Sequence, residues 1–214
     1  MLKFSPAACA AVVCVALAPL AAMADPAPQS LPHGQKDYKA APAGTYTLDP
    51  NHVGVIARVS HMGFSLSVFR FGDVKATLQW DPANIANDKL NATVQTASVE
   101  SNVQGFSEEL QGDKYLNTAK FPTATFVSTA FHKTDATHGK VDGMFTLLGK
   151  TKPVTFDVTL IGAGAGFAGG PTLGHVMGIH AEGTINPQDY GMSAFFQEPI
   201  QLAIDTEFDK PNSK

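Results

Sequence analysis

The feature that most constrains the fold of this chain is an alternation of apolar and polar residues with a period of two, which recurs from Thr45 onward. In the segment from Val74 to Trp80, for example, every second residue is apolar and the residues between are polar or charged. Successive side chains of a strand point to opposite faces, so each such segment predicts a β-strand with one buried face. About eight segments of this kind, separated by turn residues, predict an all-β fold: a closed antiparallel barrel or a sandwich.

Two stretches interrupt the alternation. Val103, Phe106 and Leu110 follow a helical spacing, which predicts a short helix near residues 103–112 that lies over one end of the barrel. The glycine-dense run from Gly162 to Gly174 lacks the lysine of a phosphate-binding loop, and we interpret it as a hairpin loop between two strands.

The first residues have the pattern of an export signal. A basic start, a short apolar run and Ala22-Met23-Ala24 predict a signal peptide over residues 1–24, cleaved before Asp25; an uncleaved membrane anchor is the alternative. Cys9 and Cys14 both lie within this segment, so we expect no disulfide in the mature protein. The expected location is the periplasm. Residues 25–44 are rich in proline and alanine and predict a disordered leader, and we expect one folded domain over residues 45–210.

Charge and motifs exclude several classes of function. The net charge of −4 argues against binding of nucleic acids, which requires a basic surface. The sequence contains no HExxH motif, nucleophile elbow or dinucleotide-binding fingerprint, and we expect neither an enzyme nor a cofactor.

Among the seven histidines, we expect no metal site. His52 and His61 are separated by an odd number of positions and would point to opposite faces of a regular strand. His132 and His138 flank a predicted turn, but two histidines alone do not complete a metal site. His61 continues the inward phase of the preceding strand. We therefore expect it either to be a hydrogen-bonded core residue or to provide the one polar contact inside the barrel.

Five segments, in order along the chain, resemble the YceI-like, polyisoprenoid-binding family. They are residues 48–63, which contain LDPNH and RVSHMG; residues 98–101 (SVES); residues 120–129 (KFPTATFVST); residues 141–154 (VDGMFTLLGKTKPV); and residues 181–192. The resemblance extends over nearly the whole expected domain and implies an extended, lipocalin-like antiparallel barrel with an apolar interior. It also implies export to the periplasm and binding of a long isoprenoid or other lipid chain. For part of the family it implies a cytochrome b561-type membrane partner and a connection to quinones, so the bound lipid would be an isoprenoid or a quinone lipid rather than a cofactor.

The chain departs from the family pattern at three positions. Phe69 replaces a usual glycine, Glu109 occupies a position that is often histidine, and Pro187 one that is often arginine. The last two changes remove polar groups that could orient a lipid head group, so the resemblance does not carry a head-group preference to this chain.

Two functions remain open from the sequence. The first is a carrier that holds an isoprenoid chain in an apolar barrel, with space provided by small inward residues such as Ala57, Gly143, Ala181 and Gly183. The second is a stress-related or structural protein with a packed barrel and no lipid. The oligomeric state stays open. The predicted ligand contacts are Val55, Val59, His61, Phe71, Leu78, Phe106, Leu110, Tyr115, Phe126, Phe145, Phe156 and Ile204, with Phe106, Leu110 and Tyr115 near the mouth.

Overall fold

The computed structural model describes residues 33–166 and 174–212. Almost all regular structure in these residues is β-strand. The strands are β1 (Gly44–His61), β2 (Ser65–Phe71), β3 (Val74–Trp80), β4 (Lys89–Gln95), β5 (Val99–Ser101), β6 (Thr123–Lys133), β7 (His138–Leu147), β8 (Lys150–Ala165), β9 (Gly174–Ile185) and β10 (Ile200–Pro211). The predicted signal peptide lies outside the described residues.

The strands form a closed antiparallel barrel of eight strands, which is one of the two architectures that the alternation predicts and the one that the family resemblance implies. Along the sheet the order is β10-β9-β8-β7-β6-β4-β3-β1, and β1 closes the barrel by pairing with β10. The first part of β1 pairs with β3, and its last part pairs instead with β2, which carries β5 along its other edge. β2 and β5 therefore extend the wall at one end only.

This register defines the two ends of the barrel. The strap end is where β1 begins, beside the last residues of β3 and β10. The rim end is where β1 turns into β2 and where β10 begins. Two clusters of buried apolar side chains lie in the two halves of the barrel. One contains Tyr46 and Phe208 near the strap end, and the other contains Leu110 and Ile200 near the rim end.

A short segment before β1 crosses the strap end, and we call residues 35–42 the strap. Gln35 and Ala163 of β8 exchange backbone hydrogen bonds of 2.7 and 2.9 Å. Asp37 caps a turn of 3-10 helix, Tyr38–Ala40, by accepting a hydrogen bond from the Lys39 N–H. The expectation of a disordered leader through residue 44 is thus wrong for its last part, because this part packs against the barrel.

The strap ends against β3. The indole N–H of Trp80 donates to the carbonyl of Ala41 at 3.1 Å, and Ala41 is fully buried. Tyr38 packs edge-on against Trp80, with ring centroids 6.0 Å apart. These contacts fix the strap on both sides of the barrel.

The predicted short helix is present as α1 (Phe106–Leu110), over the rim end. The glycine-dense run is shorter as a loop than the sequence predicts, because β8 continues to Ala165 and β9 begins at Gly174. Residues 167–173 lie outside the described part of the chain. Within residues 33–166 and 174–212, no helix has the length and hydrophobicity needed to span a bilayer.

Candidate functional site

A cavity of about 320 Å³ occupies the interior of the barrel and reaches from the strap end to the rim end. Its volume is at the lower end of the range of small-molecule sites. Every strand of the closed barrel contributes to its wall, because the alternation turns one apolar face of each strand inward. The barrel is consequently not filled completely by its own side chains.

Most residues that the sequence predicts as ligand contacts lie on this wall. The lining includes Val55, Val59, Phe71, Leu78, Leu110, Tyr115, Phe126, Phe145, Phe156 and Ile204. Phe106 does not line the cavity, but its ring contacts Phe69 and Tyr115, which do.

His61 does not enter the cavity, and its expected inward placement is wrong. It is the last residue of β1, it pairs with Ser65 of β2, and its side chain is exposed. The alternation places it correctly in phase with Val59, but the strand passes the end of the closed wall before reaching it. An inward phase buries a side chain only where another wall faces it.

The small inward residues do not all leave free volume. A Cβ added at Gly143 would lie 2.3 Å from Cζ of Phe126, and one at Gly183 would lie 2.8 Å from Cδ1 of Phe156. The two rings occupy the space beside these glycines and contact each other edge-on at 5.2 Å. Ala57 and Ala181, in contrast, do line the cavity.

An arc of aromatic rings spans the rim end. Phe69, Phe106, Tyr115, Phe196 and Phe195 follow one another with centroid distances between 5.8 and 6.1 Å. Phe69, the departure from the family glycine, begins the arc. Tilted and edge-on rings of this kind form stable contacts.

The other two departures also lie near this end. Glu109 is exposed on α1. Pro187 is buried at the start of a 3-10 turn, Pro187–Tyr190. Neither side chain lines the cavity.

Within residues 33–166 and 174–212, all charged residues and histidines of the lining lie at the strap end. They are Asp88, His132, Lys133, Asp135, His138 and Lys140. Only Asp88 among them is buried, with 7% of its surface exposed. Hydrogen bonds from the backbone N–H groups of Thr137 and His138 lower the pKa of the exposed Asp135 to about 2.

Sequence reasoning missed several parts of this cavity: Tyr38 of the strap, Phe196 of the arc, and Asp88. A signal existed for Asp88, because it stands two positions before the inward Leu90 and therefore shares its phase. No comparable signal existed for Tyr38, whose surroundings are rich in proline and alanine.

One group in the described residues has the composition of a metal site: Asp49, His52 and Glu207. A bulge in β1 between Leu48 and Val53 brings Asp49 and His52 together, with Asp49 Oδ2 2.7 Å from His52 Nδ1. Burial opposes ionisation of Asp49, yet hydrogen bonds from the Asn51 N–H and from His52 bring its pKa below the usual value. The hydrogen bond to Asp49 and the charge of Glu207 raise the pKa of His52. The group thus has the contacts of an ion pair that stabilises the bulge.

The remaining histidines considered above do not face one another. His132 contacts Asp142 at 2.8 Å, whereas His138 contacts Asp135 within its own turn. His61 is the last residue of β1, whereas His52 lies at the middle of the strand, so the two imidazoles are separated along it.

Comparison with known proteins agrees with this architecture. The model of the YceI-like domain matches residues 46–208. Protein YceI of Escherichia coli O157:H7 is 38% identical over 173 residues, which cover 78% of this chain and 88% of that protein. The crystal structure of the Campylobacter jejuni YCEI protein is 28% identical and superimposes with a TM-score of 0.62, covering 72% of this chain and 91% of that one.

A more distant structure has the same fold. It is a polyisoprenoid binding domain from Saccharophagus degradans, 13% identical, with a TM-score of 0.52 over 78% of this chain and 98% of that one. The strap lies before the segment that the family model matches. The extent of the family match and the identity to the Escherichia coli protein show that this chain belongs to the YceI-like domain family.

Proposed function

We propose that this protein is a periplasmic carrier that holds a long-chain isoprenoid lipid in the barrel cavity. The observation that carries the proposal is the cavity itself, whose wall is apolar along most of its length. The relationship to YceI proteins and the polyisoprenoid binding of the Saccharophagus degradans domain support this class of ligand.

The physical basis is the transfer of apolar surface from water. Burial of each methylene group contributes about 0.8 kcal/mol, so a chain of several isoprene units has a large gross driving force. Ordering of the chain and loss of its translational freedom offset much of this gain. Because the interaction has no direction, the wall discriminates poorly among polyprenyl chains, quinone tails and other slender lipids.

The proposed role is binding without chemistry. The predicted contacts on the wall are aliphatic or aromatic, and none of them is a general base or a nucleophile. An exported carrier in the periplasm would deliver its lipid to a membrane, and a cytochrome b561-type membrane protein is the partner that we propose. A quinone tail is the ligand that such a partner would share.

Native mass spectrometry tests the proposal. The processed protein is purified from a bacterial periplasm without detergent, and its bound species are extracted into organic solvent and identified. We expect a bound mass that fits an isoprenoid chain. A protein that carries no lipid, and whose mass is unchanged after incubation with a polyprenyl lipid or a quinone, would instead support the packed-barrel function. Cleavage before Asp25 is measured in the same spectrum.

A further inference from the structure

Asp88 is the one buried ionisable side chain that the described residues place on the cavity wall. Gln79 and Lys89 are the last paired residues of β3 and β4. Asp88 is the next residue outward from this pair, and it lies opposite Trp80 on the inward face. Its Oδ1 accepts a hydrogen bond of 2.6 Å from the Asp81 N–H. This bond fixes the carboxyl group at the strap end of the cavity.

The second oxygen of the carboxyl group has no such partner. Asp88 Oδ2 is buried and accepts no hydrogen bond from any residue in the described part of the chain. A buried acceptor without a donor is costly, and native structures retain few of them. Burial and the nearby charge of Asp81 raise the pKa of Asp88 to about 6, and the carboxylate therefore still predominates at neutral pH.

The two ends of the cavity differ in their polar groups. Among the described residues, the lining at the rim end contains no charged side chain and no histidine. Its hydroxyl groups belong to Thr96, which donates to the Phe121 carbonyl at 2.8 Å, and to Tyr115. At the strap end, Lys133 is likewise engaged, because its Nζ donates to the Tyr38 hydroxyl at 2.9 Å. The hydroxyl oxygen of Tyr190 is also buried and has no hydrogen-bond partner among the described residues, but Tyr190 does not line the cavity.

We propose that the strap end is a subsite for the polar terminus of the lipid, in which Asp88 Oδ2 accepts a hydrogen bond from a terminal hydroxyl group. The ligand class is an isoprenoid alcohol. A methyl ether or an oxidised quinone ring offers only acceptors to this carboxylate, whereas the hydroxyl groups of a reduced quinol can donate as an alcohol does. A phosphate would be repelled by the carboxylate. This inference rests on the proposed lipid-binding function and adds the chemistry of the terminus to it.

The test compares two probes that differ only in the donor, farnesol and farnesyl methyl ether. Binding is followed by the fluorescence of Trp80, the single tryptophan of the chain, which lies across the strand pair from Asp88. We expect the wild-type protein to bind farnesol about ten-fold more tightly than the ether, the range of a hydrogen bond to a charged acceptor. This preference is measurable without any variant.

Asp88→Asn then replaces the acceptor while leaving an oxygen for the Asp81 N–H, and the preference for the alcohol should fall to about one-fold. Asp81→Asn is the matched control, because it makes the same charge change in the segment that connects β3 and β4, but Asp81 lies outside the cavity lining. It should leave the preference intact.

The outcomes separate the two proposals. Binding of neither probe would refute the lipid-binding function itself. Equal binding of both probes to the wild-type protein, tighter binding of farnesyl phosphate than of farnesol, or an equal loss of preference in Asp81→Asn would overturn the subsite while leaving the carrier function in place.

Discussion

Replacing Tyr38 with alanine tests how the strap is held across the barrel. The substitution removes three interactions of Tyr38. They are the edge-on contact with Trp80, the cation–π contact with Lys133 Nζ, which lies 4.5 Å from the ring centroid, and the hydrogen bond that this amine donates to the hydroxyl. The first two contacts contribute about 0.5–1.5 and 0.5–1 kcal/mol, and the hydrogen bond adds about 1 kcal/mol. We expect the strap to be weakened by about 2–3 kcal/mol.

Amide hydrogen exchange measures this effect locally. A weakening of about 2 kcal/mol corresponds to roughly 30-fold faster exchange where local opening exposes the amide. The Ala163 N–H, which donates to Gln35 across the strap, should show this increase, and Trp80 emission should shift to the red as its ring meets water. Tyr38→Phe is the control: it keeps the ring and loses only the hydroxyl, so its effect should be about one third as large in free energy.

Two results would refute this reasoning. If Ala163 exchanges at the wild-type rate in Tyr38→Ala, the aromatic contact does not hold the strap. If amides far from the strap, such as that of Phe145 in β7, accelerate equally, the substitution has destabilised the whole barrel.

Three further predictions concern the barrel interior. Gly143→Ala should lower the free energy of unfolding by about 1–3 kcal/mol in urea titrations, because its Cβ would collide with Phe126, whereas Gly54→Ala, with open space around its Cβ, should not. Phe145→Ala should reduce the amount of co-purified lipid and lower stability by about 3 kcal/mol; unchanged lipid would make Phe145 a core residue only. Burial raises the pKa of Asp88 from 3.8 to about 6, so the folded state binds more protons than the unfolded state in this range. As the pH rises from 4 to 6, the free energy of unfolding of the wild-type protein should therefore fall by up to about 3 kcal/mol relative to that of Asp88→Asn. Parallel pH profiles of the two proteins would contradict this assignment.

Three residues at the ends of the barrel show why burial could not be predicted there from phase alone. His61 and Asp88 both have the phase of inward residues, yet His61 is exposed and Asp88 is buried. The difference arises because β1 extends beyond the closed wall at the rim end, while Trp80 lies opposite Asp88 at the strap end. Tyr38 has no strand phase at all, and its position depends on contacts with Trp80 and Lys133, which are distant in sequence.

The alternation of side chains by itself determined that this chain is an all-β antiparallel fold and which faces of its strands turn inward, because that pattern is a local property of an extended backbone. It left a barrel and a sandwich open, and the resemblance to the YceI-like family indicated the barrel. The tertiary structure decided how much of the interior is cavity. The rings of Phe126 and Phe156 consume the space beside Gly143 and Gly183, while Ala57 faces the lumen. Free volume depends on how side chains from strands far apart in sequence meet across the barrel, and the register that sets those meetings exists only once the sheet has closed.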